Sequence, residues 1–427
     1  MVGPSRIAGL LHPPRPPVSQ LAQGRSLAAA TAVAASLMRV LARDDGEQIW
    51  LPSLPEGLEI PRLAGLPNPM LRSAGDLDAG ADPSLIAWAE TPWVAGLRAR
   101  LPAPPRDEGP RENALAEDDS HRAGAISPSA FRARLRHLPA PTPAAAALAN
   151  HRSLSLALAR RRAWSLPGET MIHEIEGLQR HLDALDVEAT EAPTEAPAWV
   201  LKAAWSAAGR DRVFSQGSSL DDPQLSARIA ALLRQSASLR FEPWMRRDAD
   251  FGCVGLALSE GPRLLGMHRL HCDRRGVFRA IELCRAGDLG QQAEVLGLSA
   301  AEQAALLEAF EAAGRELARV DYRGPFGIDA WRYRDHAGRP GFQPLGEINA
   351  RLTMGHLAHL LLDRLESSGA GAGVGEGRGG RASAGDGLMR LELGRRSGAL
   401  SEGSQVLASA DGFMAWLAPA RAETGRR

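Results

Sequence analysis

Lysine occurs once in the 427-residue sequence, at Lys202, so arginine supplies the other 49 of its 50 basic residues. A single lysine kept among so many arginines points to a site that needs a compact charge rather than a planar fork, as a covered phosphate does. Lys202 ends the apolar run Trp199-Val200-Leu201-Lys202 and precedes the small residues Ser206-Ala207-Ala208-Gly209, with Arg210 and Arg212 close behind. Amides of such a loop can approach an anion closely. Further on, Asp329, Glu347 and Asn349 carry the oxygens that hard divalent cations take. Strands over 327–334 and 342–349 flank a turn from Asp335 to Gly338, and positions 329 and 347 are equidistant from 338. In an antiparallel hairpin of that register the two carboxylates are cross-strand partners, about 4.5 to 5.5 Å apart at Cβ, with Asn349 on the same face. Like charges so placed repel unless a cation or proton joins them. A bulge near Gly341 is the alternative, and would send one carboxylate to solvent.

The elements that must position these residues follow from periodicity and punctuation. The run 199–202 reads as a strand, and Asp222-Pro223 opens a helix with Leu225, Ile229, Leu232 and Leu233 on one face. A strand-rich stretch runs from Phe241 to about Leu283, with turns at Glu260-Gly261-Pro262 and Arg275-Gly276. Ser299-Ala300-Ala301-Glu302 has capping-box spacing and opens a helix carrying Leu306, Leu307, Phe310 and Leu317 inward. Earlier, 27–42 and 148–162 read as helices, 177–185 as another, and Gln48-Ile49-Trp50-Leu51 as a strand. Prolines and charges over 102–125, Pro/Glu/Thr over 191–197 and the Gly/Ala/Arg/Ser tract 367–387 read as connections, the last as a flexible linker.

Composition bounds the function. With 44% apolar residues the chain is long enough for two or three packed units, and 50 acidic residues balance the 50 basic ones. That balance lacks the electrostatic footprint of nucleic-acid or anionic-membrane binders and favours small-molecule partners. Cys253, Cys272 and Cys284 form neither a disulfide framework nor a CxxC zinc motif, which suits a reducing cytoplasm. No run approaches the roughly 18 apolar residues of a membrane span. The apolar run from Leu27 to Met38 lacks signal-peptide order and reads as an amphipathic or buried helix.

Read in order, Val200-Leu201-Lys202-Ala203-Ala204-Trp205-Ser206-Ala207-Ala208-Gly209-Arg210, Phe241-Glu242-Pro243-Trp244-Met245, and Gly327-Ile328-Asp329 with Glu347-Ile348-Asn349-Ala350-Arg351 resemble the ATP-grasp superfamily over about 145–365. The resemblance implies two α+β lobes enclosing ATP, preceded by an N-terminal α/β domain. By residue, it implies Lys202 on the phosphates, Ser206 to Gly209 as their cover, and Glu242, Trp244 and Met245 as the adenine-side hinge. Asp329, Glu347 and Asn349 would hold magnesium, or manganese, and Arg351 would face an acyl-phosphate. The expected organisation is an N-terminal domain over 1–135, an ATP-grasp domain over 140–366 with its small lobe near 197–240, the linker 367–387 and a C-terminal extension 388–427, read as a small strand-helix piece. The loop carries alanines where relatives have more glycine and serine, and the N-terminal part shows no motif.

The implied reaction is ATP-dependent activation of a carboxylate for attack by an amine or similar nucleophile, releasing ADP and phosphate. A non-catalytic nucleotide-binding regulator and a small-molecule kinase are the alternatives. Other polar residues have plainer readings. Asp250 reads as a turn residue, His268 and His271 as solvated surface, and His356 and His359 as packed or surface residues. Asn150-His151-Arg152-Ser153, at a helix start, could contact substrate, although capping explains Asn150 equally.

Overall fold

The structure, a computed structural model, describes residues 28–51, 54–73, 86–90, 92–99, 124–188, 198–205, 211–273, 276–284, 288–368, 388–395 and 399–419. The loop 206–210, the connection 191–197 and the tract 369–387 lie outside these residues, as does 102–123 of the polar stretch.

A helix over 28–36 (α1) tightens into a 3-10 turn at Leu37–Leu41. Strands β1 (Gln48–Leu51) and β2 (Met70–Ser73) then pair in parallel. Helices α2 (Pro92–Arg98), α3 (Pro128–His137), α4 (Pro143–Ala149) and α5 (Arg152–Arg161) follow. The single helix expected over 148–162 is thus two, broken at Asn150 and His151. Asn150 explains the break: its Nδ2 donates to the carbonyls of Ala146 and Ala350, and its Oδ1 accepts from the Ala350 amide. This side chain joins a helix end to a distant strand, and a continuous helix could not present it so.

The small lobe is a four-stranded antiparallel sheet in the order β3 (Thr170–Ile172), β6 (Leu239–Pro243), β4 (Ala198–Ala203), β5 (Arg212–Gln216). Helices α6 (Ile175–Glu188) and α7 (Pro223–Ser236) cover one face, where Leu178, Leu182, Leu225, Ile229 and Leu232 meet Trp199, Leu201, Leu239 and Phe241. Asp222 caps α7 by accepting from the Gln224 amide, with Pro223 in the first turn. Strand alternation then turns Val200, Lys202, Arg240 and Glu242 to the other face.

The large lobe is an eight-stranded sheet, β11-β10-β7-β8-β9-β12-β14-β13, antiparallel throughout. It comprises β7 (Arg246–Leu258), β8 (Gly261–Cys272), β9 (Phe278–Cys284), β10 (Gly324–Arg334), β11 (Pro340–Asn349), β12 (Leu388–Arg395), β13 (Gln405–Ala410) and β14 (Phe413–Pro419). Helix α9 (Ala300–Arg319), started by the expected Ser299/Glu302 capping box and preceded by α8 (Leu289–Val295), buries Leu306, Phe310 and Leu317 against one face. Helix α10 (Met354–Ser367) packs on the other in a core that also takes Val33 and Leu37 from the N-terminal helix and Leu391, Leu407 and Leu417 from the C-terminal strands. The described C-terminal residues are therefore strands that continue this sheet, with no helix among them.

Candidate active site

Lys202 sits on β4 directly across from Arg240 on β6, on the small-lobe face turned toward the large lobe. Its ammonium donates to Glu242 Oε2 at 2.5 Å, and Glu242 Oε1 lies 3.1 Å from Arg240 Nε. Arg240, fully buried, also donates to Glu169 Oε1 at 3.1 Å and to the Gly346 carbonyl of β11 at 2.6 Å. A buried arginine and two buried carboxylates are tolerable only in such a mutually satisfied set. Burial lowers the Lys202 amine from its ordinary value although Glu242 opposes this. Burial would raise Glu242, but Lys202 and then Arg240 more than offset it and hold the carboxyl down near 2. Glu242, expected on the adenine side of the hinge, has both its oxygens paired with cations of the chain, Lys202 and Arg240.

Trp244 and Met245 form the link between the last small-lobe strand and the first large-lobe strand, where a hinge belongs. The Trp244 ring meets Phe214 edge-on at 4.7 Å, and the Arg247 guanidinium lies 5.3 Å from Trp244 and 3.9 Å from the Trp331 ring. Arg247 also donates to Asp250 at 2.9 Å. Asp250 is thus a strand residue of β7 rather than the turn residue expected.

The hairpin of β10 and β11 pairs Asp329 with Glu347 and Gly327 with Asn349. Ile328, Ala330, Ile348 and Ala350 enter the α9 core, which leaves the three oxygen-bearing side chains on the opposite face. The outer half of the hairpin pairs Trp331 with Gln343 and Arg334 with Pro340, so its turn centres one residue before Gly338. A bulge between Asp329 and Trp331 sets two residues of β10 against four of β11. That shift is even, so the Asp329 and Glu347 faces stay matched; an odd shift would have separated them. Trp331 lies over the bulge, where a Cβ on Gly346 would fall 1.7 Å from its ring.

Asn349 Nδ2 donates to Asp329 Oδ2 at 3.1 Å, and Arg351 Nη1 donates to Asn349 Oδ1 at 2.6 Å. Burial and then the facing Glu347 push the Asp329 carboxyl up to about 6. Burial also acts upward on Glu347, yet Arg152, Lys202 and Arg351 together bring it below its ordinary value. Arg152, at the start of α5, reaches both Glu347 oxygens at 2.9 and 3.2 Å and also bonds the Ala203 carbonyl of β4. One arginine therefore touches the strand that carries Lys202 and the carboxylate that faces Asp329. Ser206 and Gly209 lie outside the described residues.

Reasoning from sequence missed Arg240, Glu169, Arg247 and Trp331. Arg240 was reachable, since it shares a strand face with Glu242; its partner Glu169 comes from a separate strand connection that no local pattern marks. His268, expected on the surface, is 4% exposed, and His271 is not simply solvated either, lying 2.9 Å from Glu282. His356 and His359 are packed, as one of the two expected readings had it. Among the described residues no group of three or more His, Cys, Asp or Glu side chains forms a metal cluster. Asp329 and Glu347 with the Asn349 amide form a set of a different kind.

No protein-family model matches the sequence, and no curated protein matches it. Among solved structures the chain is similar to biotin carboxylase from Campylobacter jejuni, with TM-score 0.40 and 12% identity over 66% of this chain and 65% of that one. It is also similar to N5-carboxyaminoimidazole ribonucleotide synthetase from Thermus thermophilus, with TM-score 0.40 and 14% identity over 73% and 80% of the two chains. For N5-carboxyaminoimidazole synthase from Aspergillus clavatus the TM-score is 0.42 and the identity 10%, over 83% and 89%. The chain spans just under two thirds of the biotin carboxylase's length.

Proposed function

We propose that the chain is an ATP-grasp ligase that binds ATP with magnesium between its lobes and activates a carboxylate for attack by an amine or similar nucleophile. The observation that carries this reading is the pairing of Asp329 with Glu347 beside Asn349, on a sheet face that also meets Arg152 and Arg351 and lies across the interlobe space from Lys202. Two facing carboxylates, one already pushed up to about 6, suit a divalent cation, and their oxygens with the Asn349 amide oxygen are the hard donors magnesium takes. When bound there, the metal supplies positive charge against the transferring phosphoryl group.

The chain's own groups account for the rest. Lys202, held toward the cleft by one N–H donated to Glu242, offers its two remaining N–H donors to phosphate oxygens and adds charge without filling the space a guanidinium needs. Arg152 can exchange its Glu347 contact for an anion, since the carboxylate that holds it is the one a metal would take. Arg351 is positioned through Asn349 to stabilise charge on an acyl-phosphate, from which the nucleophile displaces phosphate. Trp244 and Met245, where the chain crosses between lobes, would border the base.

The test is ADP release with a panel of carboxylates, with and without amines. Turnover that requires both substrates supports the ligase. A stable phosphorylated carboxylate with no dependence on amine replaces it with a kinase, and nucleotide binding without turnover with a regulator.

A further inference from the structure

Away from the cleft, an open pocket of about 520 Å3 is lined by Leu41, Arg43, Arg132, Ala133, Arg136 and Arg364, with His137 at its side. It lies where three elements end: the 3-10 turn closing the N-terminal helix, the second half of α3 and the last turn of α10. Helix α10 begins three residues after Arg351, and Arg364 lies ten residues along it, so at 1.5 Å per residue the pocket is about 15 Å along the helix from the end nearest Arg351. The two sites are distinct.

Four arginines here meet two carboxylates. Glu47 pairs with Arg43 at 3.6 Å and with Arg136 at 3.0 Å, and Asp363 pairs with Arg132 at 2.8 Å. Arg364 has no carboxylate partner among the described residues; its Nη2 donates to the Ala42 carbonyl at 2.5 Å, and its Nε is buried with no acceptor. Burial, and then the nearness of Arg132, lowers the Arg364 guanidinium from its ordinary value, with Asp363 and Glu47 opposing and Arg136 adding to the effect. Capping of the N-terminal helix accounts for one contact each from Arg136 and Arg364, to the Leu41 and Ala42 carbonyls. It does not account for Arg43 and Arg132, nor for gathering four like charges around a space of small-molecule size. The surplus is cationic, the donors are forked, and arginine methylenes with Leu41 and Ala133 supply an apolar wall.

We propose that this pocket is a second ligand site, for a small organic oxyanion that is a phosphate monoester or a polycarboxylate. It stands independently of the reading of the cleft. The probes are inorganic phosphate, phenyl phosphate and citrate, titrated into the full chain by calorimetry, with thermal unfolding as a second readout. Saturable binding of one probe is expected, and phosphate against citrate decides which source of the anion the pocket takes. Arg364→Gln and Arg43→Gln should each weaken binding about tenfold, the loss of one charge-assisted contact, while Lys202→Ala leaves it unchanged. Arg43 is 65% exposed, so R43Q carries the test even if R364Q fails to fold. No saturable binding at millimolar concentration, or binding that both arginine variants keep and Lys202→Ala abolishes, overturns the proposal.

Discussion

Lys202 and Asp329 show how a residue's type and its setting jointly define what it can do. Lys202 is the one side-chain ammonium in the sequence, and Arg247, Arg240 and Arg152 are guanidiniums near enough to act on its charge. Lys202→Arg keeps the charge but must fit a fork beside Glu242 and Trp331, so ATP use should fall about ten- to a hundredfold, roughly 1.5 to 3 kcal/mol. Steady-state kinetics on folded protein decides this, and unchanged affinity and turnover would remove Lys202 from the site. Asp329→Asn and Glu347→Gln leave the hairpin's shape intact while removing the charge that a metal needs. Each should abolish magnesium-dependent turnover with little change in unfolding midpoint, and full activity in either variant would end the metal assignment.

At the scale of elements, the hairpin of β10 and β11 is the part on which the site depends. Its bulge brings Gly346 under the Trp331 ring and aims the Gly346 carbonyl at Arg240. Gly346→Ala would drive a methyl into that ring, and overpacking of this kind costs roughly 1 to 3 kcal/mol or more. The expected result is a lower unfolding midpoint together with weaker metal binding, because Trp331 or the strand must shift beside Asp329. A variant as stable as the parent would show that the bulge relaxes without moving the site. On the other side of the molecule α10 is held by His356, whose Nδ1 accepts from the Thr353 amide and whose Nε2 meets the Gly255 carbonyl at 3.1 Å. His268 packs 5.8 Å from His359 between the sheet and this helix.

Those three histidines give the whole molecule a defined response to acid. Burial lowers His356 to about 3 and His359 to about 4, and takes His268 well below the ordinary 6.5. Unfolded histidines bind protons from about pH 6.5 downward while the buried ones do not, so their contribution is present above 6.5 and is lost as pH falls toward 4. The slope is about 1.4 kcal/mol per pH unit for each histidine. Urea unfolding between pH 7 and pH 5 should show this decline, and His359→Gln should make it shallower; a parent and variant with the same pH slope would contradict it. One lysine in 427 residues also makes a whole-protein experiment simple. An amine-reactive reagent can label only Lys202 and a chain N-terminus, and ATP with magnesium should protect Lys202, as peptide mass analysis would read. Labelling that nucleotide does not slow would place Lys202 outside the bound site.

By itself the sequence determined what is written locally. The 3.6-residue spacing of Leu225, Ile229 and Leu232, the Ser299/Glu302 box and the strand over 199–202 are each set within a few residues, and all three form, the strand running one residue further at each end. Parity also survives in sequence, which is why Asp329 and Glu347 match as a regular hairpin centred on Gly338 implies, although the real turn centres one residue earlier and a bulge of even shift makes up the difference. Only the tertiary structure decided that Lys202 reaches Glu242 and that Glu169 reaches Arg240, because both contacts depend on strand pairing between segments far apart in the chain. It alone decided that Arg152 bridges Ala203 and Glu347, and that the N-terminal helix, α10 and the C-terminal strands share one core. Burial of His268 belongs to the same class, since the helix that covers it lies nearly a hundred residues on, and desolvation depends on what packs above a strand rather than on the strand's own pattern.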